Sequence, residues 1–106
     1  MKSKGNLEKL YIDISRWEMG FNPYPRIPSD KVPLLLFDKG VKMLEEHNAQ
    51  NYYARNLLAR KNILRRQILD GIHVLVVIDE LRCAIHSLLD SKEADSGRIT
   101  ENNFES

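Results

Sequence analysis

The feature that most constrains the fold is Ile72 to Leu89, IHVLVVIDELRCAIHSLL, the longest apolar-rich segment of the chain. Val74, Val77, Ile78, Leu81, Ile85 and Leu88 recur at steps of three and four, which places them on one face of a helix. Leu75, Val76 and Leu89 spread apolar surface onto its other faces. A helix that is apolar nearly all round needs burial on several sides. The segment is therefore expected to be the central helix of a small bundle or the seam of an oligomer. Its first part, Ile72 to Ile78, is rich in β-branched residues and also suits a buried strand. Nothing else in the chain reads as a pairing strand, so that alternative needs a second copy.

The remaining sequence is more mixed. With 106 residues the chain is read as one domain. A chain of this size can bury roughly 65% of its unfolded surface, enough for one core without cross-links. The formal net charge is +1, so any preference for nucleic acid must come from local charge. The single cysteine, Cys83, excludes an internal disulfide and fits a reducing compartment. The longest uninterrupted apolar run, Val74 to Ile78, falls far short of the ~20 residues of a membrane span. MKSKGNLEK has no apolar stretch behind its basic residues and does not read as a signal peptide. The expected location is the cytoplasm.

Asn6 to Met19 predicts a first helix, with Leu7, Leu10, Tyr11, Ile14 and Trp17 on its core stripe. Asn6 is the expected N-cap and Gly20 the C-terminal stop. Gly20 to Pro28, GFNPYPRIP, is a stiff proline-rich connector. Its Phe21, Tyr24 and Ile27 either pack across the bundle or anchor a protein partner, and packing is favoured. Ser29-Asp30 offers a cap for a second helix, Val32 to His47, in which Pro33 is tolerable in the first turn. Leu34, Phe37, Val41 and Leu44 form its main stripe, with Leu36 and Met43 a second one. Gly40 inside it points to close approach of a neighbour. From Ala49 to Leu69 the pattern is helical again, with Tyr53, Leu57, Leu64 and Ile68 on one face. Asp70-Gly71 either separates this helix from the central one or lies inside a single kinked rod. A rod of about 40 residues would span roughly 60 Å. Residues 1–90 are thus read as a helical bundle domain, and 91–106 as a polar tail in which only Ile99 and Phe104 can dock.

The clearest candidate for binding is the basic run Arg55, Arg60, Lys61, Arg65 and Arg66, with Asn62 among them. No acidic residue occurs from His47 to Leu69. Arginines with amides, and Tyr52 nearby, suit phosphate contacts and base stacking in RNA or DNA. The competing reading is a solvated face balanced by Glu45, Glu46, Asp79 and Glu80. A second cluster, Asp79, Cys83 and His86 with Arg82, has residue types suited to thiolate chemistry. Three side chains along one straight helix diverge, however, and no oxyanion loop lies near. His47, His73 and His86 follow no metal-ligand spacing, and no P-loop, GxGxxG or HExxH occurs, so no metal or cofactor is expected.

Two resemblances bear on function. Leu7–Trp17, Tyr24-Pro25-Arg26, Asp79-Glu80-Leu81-Arg82 with Ile85, and Ile99-Thr100-Glu101 with Phe104-Glu105 resemble pieces of small four-helix-bundle proteins of the Avd and 23S rRNA-intervening-sequence type. The pieces span about two thirds of the chain. The chain departs from that type in ending at Ser106, where a last helix would begin, and in the stretch Ala49 to Leu69. The resemblance implies a non-enzymatic oligomer that binds nucleic acid and a partner enzyme through basic surface. Arg82 and His86 are similar to the arginine–histidine pair of helical HEPN ribonucleases, which act as dimers. The spacing here is tighter than in that pattern, and Cys83 replaces the polar residue after the arginine.

The expectation is an all-α bundle of three to four helices forming a homo-oligomer. Its leading role is a non-catalytic accessory or regulatory module that binds a protein partner, with RNA or DNA as a further ligand and no membrane. The alternatives are a HEPN-like ribonuclease using Arg82 and His86, and an inhibitor or toxin-neutralising subunit.

Overall fold

The structure of the chain is a computed structural model; it describes residues 4–97, with side chains described from 5 to 90. It is all-helical, with five helices and no strand among the described residues. These are α1 (Lys4–Glu18), α2 (Val32–Glu46), α3 (Tyr52–Ala59), α4 (Lys61–Leu69) and α5 (Val74–Gly97). A single 3-10 turn, Ser29–Lys31, precedes α2. The β-branched segment Ile72 to Ile78 is therefore not a strand. Residues from Val74 onward are helical, and α5 packs against α1, α2, α3 and α4.

Helix ends follow one device. The chain leaves α1, α2 and α4 through Gly20 (φ 97°), Asn48 (φ 55°) and Gly71 (φ 72°), all in the left-handed region. The next residue's N–H reaches back to a carbonyl five positions earlier: Phe21 to Arg16 at 2.9 Å, Ala49 to Leu44 at 2.9 Å, Ile72 to Gln67 at 2.8 Å. This Schellman geometry satisfies carbonyls that the helix leaves open. Asp70-Gly71 thus separates α4 from α5, and the chain from 49 to 90 is not one rod.

Helix starts are less regular. Asn6 lies inside the first turn of α1 and does not precede it. Neither Ser29 nor Asp30 caps α2. The 3-10 turn delivers the chain to Lys31, whose side chain makes no capping bond, and Pro33 occupies the first turn. Asn51 caps α3: its Oδ1 accepts the Ala54 N–H at 2.9 Å. Its amide also donates to the Ala84 carbonyl at 3.1 Å, tying α3 to α5. Ala49 to Leu69 is two helices, because the chain bends at Arg60 (φ −114°, ψ 16°).

The bend changes which residues enter the core. Ala54, Leu57, Leu64 and Ile68 are buried, whereas Tyr53 is exposed. On α2 the deepest positions are Val32, Leu36, Phe37, Gly40 and Leu44, so Leu36 belongs to the centre of the buried face. Leu34, Val41 and Met43 flank it, half-buried. On α1, Leu7, Leu10 and Ile14 are buried, and Tyr11 and Trp17 pack at the edge. Val77, Ile78, Leu81, Ile85 and Leu88 of α5 are buried and Val74 half-buried. Full burial of one such side chain contributes about 1.5–3 kcal/mol relative to exposure. α5 continues past position 90 to Gly97. Ile99 and Phe104 lie outside the described residues.

Candidate functional site

Each cation of the basic run except Arg55 meets a carboxylate. Arg60 lies 2.7 Å from Glu80, Lys61 2.5 Å from Glu45, and Arg66 3.3 Å from Asp70. Arg65 reaches Asp38 with two nitrogens, at 3.0 and 3.2 Å. Three of these pairs cross from α4 or the α3–α4 bend to α2 or α5, so they brace the bend against its neighbours. Two of these acids, Glu45 and Glu80, are among those the competing reading of the sequence named to balance this face; Asp38 is not. Arg55 has no carboxylate partner among the described residues, and Asn62 is exposed. Arg55 shares a shallow depression of about 530 Å³ with Tyr52 and Asn56. Tyr52 is 75% exposed and meets Tyr53 edge to face, with ring centres 5.6 Å apart. The single basic face expected at Arg55, Arg60, Lys61, Asn62, Arg65 and Arg66 thus divides into a braced part and a free corner.

The polar face of α5 turns toward α1. The Arg82 guanidinium lies 2.7 Å from Glu18 and 2.8 Å from Asp79. His86 stands 3.6 Å from Asp90 and lies beside the Tyr11 ring, with centroids 5.7 Å apart. Burial, then the Asp79 carboxylate, pushes the Cys83 thiol pKa up. A thiol held protonated is a poor nucleophile at neutral pH. Arg82 works here as a tie between α1 and α5. Among the described residues no three His, Cys, Asp or Glu side chains gather to hold a metal ion.

The connector residues divide. Phe21 is 64% exposed. Tyr24 and Ile27 pack against the core. The Tyr24 hydroxyl donates to Asp13 at 3.0 Å, and the Lys39 ammonium sits 4.6 Å from the Tyr24 ring centre. Burial, then the hydrogen bond to Asp13, pushes the Tyr24 pKa up.

Four exposed apolar side chains lie around the elbow between α4 and α5. Leu69, Ile72, Leu75 and Val76 are 47–65% exposed and fall within eight consecutive positions. Leu75 and Val76 were legible in the sequence as apolar surface that the main stripe of α5 leaves over. Leu69 and Ile72 join them only because Gly71 and His73, both at positive φ, fold α4 back on α5.

No helix among the described residues is long and apolar enough to cross a membrane. The chain shows no significant match to any protein-family model, curated protein or solved structure.

Proposed function

We propose that the protein is a non-catalytic helical interaction module that self-associates through the α4–α5 elbow and serves as an accessory subunit to a larger partner. The observation that carries this reading is the cluster Leu69, Ile72, Leu75 and Val76, exposed together at one corner. Large apolar side chains grouped on a surface mark sites of association. An uncharged patch is also its own complement, as a twofold contact requires. The patch continues the apolar side of α5 beyond Val77 and Ile78, so a second copy would extend the existing core. The resemblance to small oligomeric four-helix-bundle proteins points the same way.

The test is light scattering of the purified chain over a range of concentrations. A dimer or larger species is expected. Leu75→Glu with Val76→Glu should give a monomer with unchanged helical circular dichroism. A wild-type chain that stays monomeric throughout defeats the reading.

A nucleic-acid role rests on the free corner of α3. Tyr52 offers a stacking face, and Arg55 offers a cation that no acid pairs with among the described residues. RNA binding that falls steeply with salt and is lost in Arg55→Ala plus Tyr52→Ala is the expected result.

A further inference from the structure

We propose that the groove between α1 and α2 binds a small phosphate monoester carrying an apolar body. The groove has a volume of about 390 Å³. Small-molecule sites occupy roughly 300–1,000 Å³. Lys9 of α1 lines one side, and Lys39 and Lys42 of α2 line the other. None of the three has a carboxylate within ion-pair range among the described residues. That sets them apart from Arg60, Lys61, Arg65 and Arg66, which are all paired.

Lysine ammonium groups are point charges on flexible stems, so cations from two helices can converge on one tetrahedral dianion. Two acids also line the groove. Asp13 is engaged by the Tyr24 hydroxyl. Glu46 lies exposed near the end of α2. The lysines therefore outnumber the acids by one. Lys39 is held at the groove by the Tyr24 ring beneath it and by the hydroxyl oxygen at 3.4 Å. The Tyr24 hydroxyl donates to Asp13 at 3.0 Å, which limits that carboxylate's repulsion of an anion. Leu10 and Met43 give the groove an apolar floor. Three cations above an apolar floor fit a phosphate on a ring or short chain better than a free inorganic ion.

The site is separate from the elbow and does not depend on self-association. The test is calorimetric titration of the full chain with phenyl phosphate and with inorganic phosphate. Phenyl phosphate should bind at one site, at least about tenfold more tightly than inorganic phosphate. Lys39→Ala with Lys42→Ala should weaken it by at least about tenfold. Tyr24→Phe should also weaken it, because it releases the Asp13 carboxylate. Arg55→Ala should not. Amide shift changes in the wild-type chain should cluster on α1 and α2, a readout independent of any variant's folding. Equal affinity for the two probes, or full binding by the lysine variant, overturns the proposal.

Discussion

Gly40 of α2 lies directly against Leu81 of α5: a Cβ at position 40 would fall under 3.0 Å from three carbons of the Leu81 side chain. Leu81 is fully buried and has little room to yield. On an exposed helix, glycine to alanine would gain up to ~1 kcal/mol. Here overpacking, typically about 1–3 kcal/mol, outweighs that gain. Gly40→Ala should therefore destabilise the fold by roughly 1–2 kcal/mol, read as a lower denaturation midpoint in urea. A stabilised variant would mean that α2 and α5 can move apart freely.

Asn51 does two tasks with one side chain. Asn51→Ala removes the α3 cap, worth about 1 kcal/mol. It also removes the bond to the Ala84 carbonyl, worth about another 1 kcal/mol. Asn51→Asp keeps the cap acceptor but loses the donor, so its melting temperature should fall between wild type and Asn51→Ala. Asn51→Asp melting with wild type would show that the link to α5 contributes nothing, and equal melting of the two variants would show that the cap contributes nothing.

The bracing ion pairs are exposed and should count for little in stability. A double-mutant cycle on Arg60 and Glu80 should give an interaction of about 0.2–1 kcal/mol, shrinking in concentrated salt. A larger, salt-independent coupling would contradict the solvent exposure of this pair.

Cys83 should react slowly with iodoacetamide at neutral pH. The midpoint of its pH–rate profile should lie above that of a free cysteine, since burial and Asp79 both favour the neutral thiol. The folded chain then holds this proton longer than the unfolded chain does. This contribution to stability is complete below the unfolded pKa and is lost as pH rises through the folded one. Cys83→Ser should remove that alkaline loss. Fast alkylation at pH 7 would instead reveal an activated thiolate.

Residues carrying a periodic signal were legible from the chain alone. Leu7, Leu10 and Ile14, and Val77, Ile78, Leu81 and Ile85, are buried as their spacing requires, because a regular helix fixes which side chains share a face. Gly20 and Gly71 mark helix ends for an equally local reason: left-handed backbone favours glycine. The bend at Arg60 had no such signal. Its cost is met by contacts with α2 and α5, and it exchanges Tyr53 for Ala54 in the core.

The sequence by itself determined the helical class, the core faces of α1 and α5 and the identity of α5 as the segment needing the most cover; on α2 it put Leu34 and Val41 where the structure buries Leu36 and Gly40. Only the tertiary structure decided which charges remain available. The partners of Arg60, Lys61 and Arg65 come from positions 80, 45 and 38, far away along the chain. Local periodicity carries no information about such pairings. Among the described residues the same folding left Arg55, Lys9, Lys39 and Lys42 without carboxylate partners, and it placed Leu69 and Ile72 at the same exposed elbow as Leu75 and Val76.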